Sequence, residues 1–257
     1  MPTTPPIQLD EAALYLWVAH DVMRESSTKS AVAELGEIAP AYSLALGVLA
    51  SAAKRVEGKF GGWTTKSSRR GSILAGFIIG LTLVEQAILG GFTAQASALI
   101  RQELEAIAAL EEIRQGCRTE RRTPNVRHVP SVPGRLYSDL SKAAHFADTA
   151  TLRSATVYRG EIESEAGHAE KWLLSPQHVP GTTRRLFGMH TLLLLHLTEH
   201  QALDDHEVHG LESTAENIQA VSRALQLLKS AGIIEVMSTL PLSGPVHVKR
   251  SEEYDQI

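Results

Sequence analysis

Gly71-Ser72-Ile73-Leu74-Ala75-Gly76-Phe77-Ile78-Ile79-Gly80-Leu81-Thr82-Leu83-Val84-Glu85-Gln86-Ala87-Ile88-Leu89-Gly90-Gly91 decides the fold. Its apolar residues do not alternate. They fill nearly every side of a 3.6-residue repeat, which predicts a buried helix over about 67–89. The apolar run proper, Ile73 to Val84, stops at Glu85. It falls short of the roughly 20 residues that span a bilayer, so it reads as a central helix of a soluble bundle. Gly76 and Gly80 lie four apart on one side and predict close approach of another backbone. Gly90-Gly91 interrupts the pattern, and a fourth helix is predicted over 92–116. The two form a long antiparallel helical hairpin.

Outward from that hairpin the spacing stays helical. Residues 8–26 predict a first helix, with Leu14, Trp17, Val18 and Val22 on one side, and a connection ending near Pro40. A second helix is predicted at 41–57, carrying Tyr42, Leu46, Leu49 and Val56, before Gly58 and Gly61-Gly62. Pro124, Pro130 and Pro133 mark 117–134 as the clearest loop, and a fifth helix follows at 134–148. A weaker helical pattern lies near 160–173. Beyond Pro176 and Pro180, helices are predicted at 182–203 and 213–230, with Gly232 at a C-cap position. Within the first of these, Leu192–Leu195 is a second apolar run, flanked by His190 and His196 and again too short to span a bilayer. The only strand signals are 233–237 and 246–249. The expected fold is therefore all-α. A helical bundle covers 1–177, and a C-terminal helical region covers 178–257, ending in a small helix-plus-hairpin, winged-helix-like appendage.

The totals agree with this reading. The 257 residues are 43% hydrophobic and 21% charged, enough for a sizeable core and too apolar for global disorder. A net charge of −4 gives no global attraction to nucleic acid or anionic membrane. Cys117 is the only cysteine, which excludes an intramolecular disulfide and any multi-cysteine metal site. Met1-Pro2-Thr3-Thr4-Pro5-Pro6 has neither the basic nor the apolar part of a signal peptide. The expectation is a cytoplasmic protein with no membrane contact, no metal and no cofactor.

Two polar stripes interrupt the apolar pattern. Arg101 and Glu105 are four apart on the fourth helix, and Tyr137, Ser141 and His145 repeat at that spacing on the fifth. Residues four apart stack along one side of a helix. If the stripes face each other they bring together an anion-binding guanidinium, a carboxylate and an imidazole that titrates near neutrality. Such a set binds phosphate or performs acid–base chemistry. The alternative is a hydrogen-bond network that only ties two helices together.

Gly91-Phe92-Thr93-Ala94-Gln95-Ala96-Ser97-Ala98-Leu99-Ile100-Arg101-Gln102-Glu103-Leu104-Glu105, with Tyr137-Ser138-Asp139-Leu140-Ser141-Lys142-Ala143-Ala144-His145, resembles a group of bacterial helical proteins distantly similar to HEPN domains. The resemblance covers about 70–150. It implies a helical bundle, frequent self-association into homo-oligomers, a place in stress or defence systems, and action on RNA or a nucleotide by a metal-independent ribonuclease. The candidate catalytic residues are those of the two stripes, Arg101, Glu105, Tyr137, Ser141 and His145. HEPN ribonucleases pair an Arg with a His four to six residues on. Here Arg135 and His145 are too far apart, and Arg122 and His128 have the spacing but flank Pro124.

Three further features carry alternatives. Arg118, Arg121, Arg122 and Arg127, with Arg114 and Arg135 at the ends, form an arginine-rich loop. It is suited to phosphates, or is a solvated loop paired with Glu111 and Glu112. No aromatics interleave, so a base-stacking groove is not indicated. His196-Leu197-Thr198-Glu199-His200 has the spacing of zinc ligands on a helix face, but only 57 residues follow it, and helix-face histidines are the plainer reading. Val221–Val236 is similar to the recognition helix and first wing strand of a winged helix. Residues 178–257 carry more acidic than basic side chains, which opposes DNA docking. The rival functions are a non-catalytic oligomerisation or partner-binding protein and a winged-helix-like regulator.

Overall fold

The computed structural model describes residues 9–129, 134–145, 156–159, 170–172 and 175–234. These include seven α-helices: α1 (Leu9–Leu35), α2 (Ile38–Val56), α3 (Thr65–Leu89), α4 (Thr93–Gln115), α5 (Gly134–Ala144), α6 (Thr182–His209) and α7 (Ala215–Ser230). A 3-10 turn occupies Val126–His128. The chain is all-α in class. Its one described ladder is short and antiparallel, β1 (Val157–Arg159) on β2 (Glu170–Trp172), with Tyr158 opposite Lys171. The helix expected near 160–173 is thus a strand at its described end. Of the winged-helix-like appendage, residues 235–257 lie outside the described residues.

Local chemistry sets the boundaries. Thr64 caps α3 in a capping box: its hydroxyl accepts from the Ser67 amide at 3.1 Å, and Ser67 Oγ accepts from the Thr64 amide at 2.8 Å. α1 runs well past the expected end at residue 26, and one of its serines there turns inward instead of breaking the helix. Ser27 is buried and donates to the Pro176 carbonyl. Gly36, at φ +51°, ends α1, and α2 leaves at 92° to it. Pro40 lies inside the first turn of α2, where its missing N–H has no helical partner to lose. Arg184 then ties two helix ends together. It donates to the carbonyls of Glu34 and Leu35 at the end of α1 and of Ala231 after α7.

α6 is the hub, packing on α2, α3 and α4; α7 lies on α2, and α5 lies on α4. One core joins them, with Ile100, Leu104 and Ile107 from α4 meeting Leu194 and Leu197 from α6, and Leu228 from α7 closing the far side. The boundary expected near 177 therefore runs through a continuous core. The reason is the length of α6, 28 residues or about 42 Å, which carries the later helices back across the bundle.

α3 differs from expectation. Only the stripe Leu74, Phe77, Leu81, Val84, Ala87 and Ile88 is buried among its apolar residues, while Ile79 and Leu83 are 83% and 58% exposed. A Cβ built on Gly76 or Gly80 meets nothing within 4 Å, so among the described residues no backbone uses the close approach those glycines permit. By length and composition α3 is the one described helix apolar enough to cross a membrane, with 33% of that window buried in the fold.

Candidate functional site

α5 lies along α4 in the opposite direction, so Tyr137 meets Glu105 and His145 meets Arg101. Arg101 Nε donates to Glu105 Oε1 at 3.0 Å, and Tyr137 Oη donates to the same oxygen at 2.8 Å. Arg101 Nη1 lies 2.8 Å from His145 Nε2, and the guanidinium sits 5.1 Å from the centre of the Tyr137 ring. Ser141 Oγ, one turn from both Tyr137 and His145, is sealed from solvent and has no hydrogen-bond partner. The two stripes face each other, and all five residues come to one place.

The electrostatics follow from the contacts. An arginine has only donors, so His145 Nε2 accepts, and the proton of the neutral imidazole is on Nδ1. Burial works against the Arg101 charge, but Glu105 and Tyr137 together outweigh it and hold the guanidinium above its ordinary pKa. Burial and then Glu105 push the Tyr137 hydroxyl up, so it stays protonated and donates. Arg101 and Glu105 are each about a quarter exposed, at 24% and 23%, and His145 is exposed. The cluster is an open polar face and not an enclosed cavity, a geometry that suits a macromolecular or phosphate-bearing ligand.

The arginine loop divides in two. Arg118 is committed inward, to Glu112 at 3.1 Å and to the Arg122 carbonyl at 2.9 Å, and Arg114 is held by Glu111. Arg121, Arg122 and Arg127 are exposed and form no ion pair among the described residues. Glu112 also accepts from the Asn125 amide at 2.7 Å, which folds the loop onto α4. Glu112 lies seven residues beyond Glu105, about 10 Å along the same helix face. The 3-10 turn packs on both α4 and α5, so the free arginines follow the cluster along one side of α4.

The His196–His200 pair is built differently from a metal centre. His200 Nε2 lies 3.4 Å from Glu111 Oε1, with both side chains 2% exposed. His196 Nε2 is sealed without a partner, and burial, with His200 beside it, pushes its pKa down to about 4. Among the described residues no group of three or more His, Cys, Asp or Glu is placed to hold a metal ion. The core holds polar pairs that the sequence did not announce. His190 Nδ1 lies 2.9 Å from Glu103 Oε2, and Arg70 binds Asp204 and Glu207. The available signal was a charged residue inside each apolar stripe: Glu103 beside Leu104, and Asp204 one turn after His200.

No protein-family model, curated protein or solved structure matches the chain.

Proposed function

We propose that the α4–α5 face is an HEPN-like, metal-independent acid–base site that acts on RNA or on a nucleotide. The observation that carries this reading is the 2.8 Å contact between Arg101 and His145, with Tyr137 and Glu105 behind it. Arg101 binds phosphate oxygens with the N–H groups of Nη1 and Nη2, giving up the His145 contact as it does so. The released Nε2 takes the proton of the attacking hydroxyl and, once charged, returns one to the leaving oxygen. Glu105 fixes the guanidinium plane, and Tyr137 holds Glu105. Arg121, Arg122 and Arg127 extend the phosphate-binding surface along α4.

The test is cleavage of a fluorogenic single-stranded RNA in the presence of chelator. Arg101→Ala and His145→Ala each lower the rate by about 100-fold or more while the far-ultraviolet circular dichroism is unchanged. Cleavage retained in both variants removes the assignment. A non-catalytic interaction protein is the second reading, and the exposed apolar side chains of α1 and α3 favour it. On that reading the same substitutions lower thermal stability and abolish no activity.

A further inference from the structure

The connection from α2 into α3 reads Lys54-Arg55-Val56-Glu57-Gly58-Lys59-Phe60-Gly61-Gly62-Trp63-Thr64-Thr65-Lys66-Ser67-Ser68-Arg69. It carries five cations against one carboxylate, Glu57. Arg55 is held by Asp205, and Arg69 by Glu120. Lys54, Lys59 and Lys66 form no ion pair among the described residues; Lys66 lies near Glu207, but that carboxylate is bound by Arg70. Two aromatic side chains stand between these lysines. Phe60 is 103% exposed, the most exposed large apolar side chain among the described residues, and Trp63 is 53% exposed. The base of the tip is fixed. Gly61 sits so closely against Val208 and His209 that a side chain there would collide with them. The Trp63 ring lies over Gly71 and meets the His209 ring edge-on, 6.3 Å between centres. Lys59 and Phe60 stand outward from that base. We infer that this tip docks on the anionic surface of a lipid bilayer, with Phe60 entering the headgroup layer, Trp63 at its boundary and the three lysines against the lipid phosphates and carboxylates.

Charge sets the sign of the partner. Electrostatic attraction reaches about 8–10 Å in physiological salt, so the net charge of −4 on the whole chain does not cancel a local excess of cations. Each lysine near an anionic lipid surface raises partitioning about fivefold, so three together supply on the order of a hundredfold. The aromatic side chains set its texture. Tryptophan favours the membrane–water boundary, where its ring sits at headgroup level, whereas a purely polar acidic surface leaves Phe60 in water. Shape excludes a peptide groove. From Glu57 to Lys66 every residue but Gly61 is exposed, so the tip protrudes and offers no concavity. Single-stranded nucleic acid fits less well, because stacked bases need aromatic rings that serve as a platform. Nothing fixes the Phe60 ring, and Trp63 spends part of its ring on Gly71 and His209.

None of these residues belongs to the α4–α5 site, so the two readings stand or fall separately. The experiment is flotation of the full chain with phosphatidylcholine vesicles, with and without phosphatidylserine, repeated with Phe60→Ser and with the double variant Lys59→Glu/Lys66→Glu. All three positions are exposed, and thermal melting checks that each variant folds. The expected result is binding to the phosphatidylserine vesicles alone, lost on raising the salt concentration. Phe60→Ser lowers the partition coefficient about tenfold, and the double charge reversal lowers it by about 25-fold or more. A wild type that does not float with phosphatidylserine vesicles overturns the proposal, and so does binding that both variants retain. Equal flotation with neutral vesicles overturns it as well, because the lysines then contribute nothing. If Phe60→Ser weakens binding of a single-stranded RNA oligonucleotide, read by fluorescence anisotropy, and leaves vesicle binding unchanged, the tip belongs to nucleic acid and the proposal falls.

Discussion

Arg70 shows what single buried residues do here. Its side chain is 1% exposed and sits against Asp204, 5% exposed, and Glu207, 46% exposed. Removing one partner of a buried pair strands the other charge, so Arg70→Ala is expected to cost about 3–5 kcal/mol in urea unfolding. The double substitution Arg70→Met with Asp204→Leu recovers most of that loss, because two charges no longer need desolvation. His196 gives a pH prediction. Its pKa falls from the ordinary histidine range to about 4 on folding, because burial and the neighbouring His200 disfavour its charge while Glu111 opposes them. The unfolded chain therefore takes up this proton first as pH falls. The stability tied to neutral His196 is complete above about pH 6.5 and is lost on the way down to about 4, a change on the order of 3 kcal/mol at most. His196→Leu flattens that part of the profile, read as urea midpoints at the two ends of the range. An unchanged slope removes the assignment. Both residues lay in helical stretches of the sequence, but nothing in their spacing said which charge each would meet.

The α4–α5 pair is the element that spacing foretold best. Two polar stripes at steps of four can only meet if the helices run side by side, and the loop between them is short enough to turn back. Tyr137→Phe removes one hydrogen bond to Glu105 and is expected to cost about 1 kcal/mol. Thr64→Ala removes the hydroxyl arm of the α3 capping box, which accepts from the Ser67 amide, and costs a similar amount, about 0.5–2 kcal/mol. Chemical denaturation resolves both. α3 was legible as a helix and not as a buried one. A helix apolar on every side carries no directional signal, so its sequence cannot say which stripe its neighbours will cover. The end of α1 was misplaced because serines and a proline read as breakers. Ser27 instead donates across to the Pro176 carbonyl, and Pro40 fits the first turn of α2.

Across the whole molecule, stability is concentrated where α4 and α6 cross. Ile100, Leu104, Ile107, Leu194 and Leu197 are fully buried there, while α1 buries only Ser27, Ala31 and Leu35 near its C-terminal end. Hydrogen exchange followed by mass spectrometry is expected to find the amides of α4 and α6 slowest, opening only with global unfolding, and residues 9–26 of α1 fastest in a dilute sample.

The sequence alone determined the helical class, most helix boundaries and the two polar stripes, one with Arg101 and Glu105 and the other with Tyr137, Ser141 and His145. Those are local properties, set by the 3.6-residue period, by turn residues and by which side chains stack four apart. Tertiary structure alone decided that α6 and α7 share the core of the earlier helices, and that Arg118 turns inward while Arg121, Arg122 and Arg127 stay free. It alone left the outer face of α3 bare. Those outcomes depend on which surfaces meet, and residues far apart in the chain, such as Glu103 and His190 or Arg70 and Asp204, carry no mark of one another until the fold brings them within hydrogen-bonding distance.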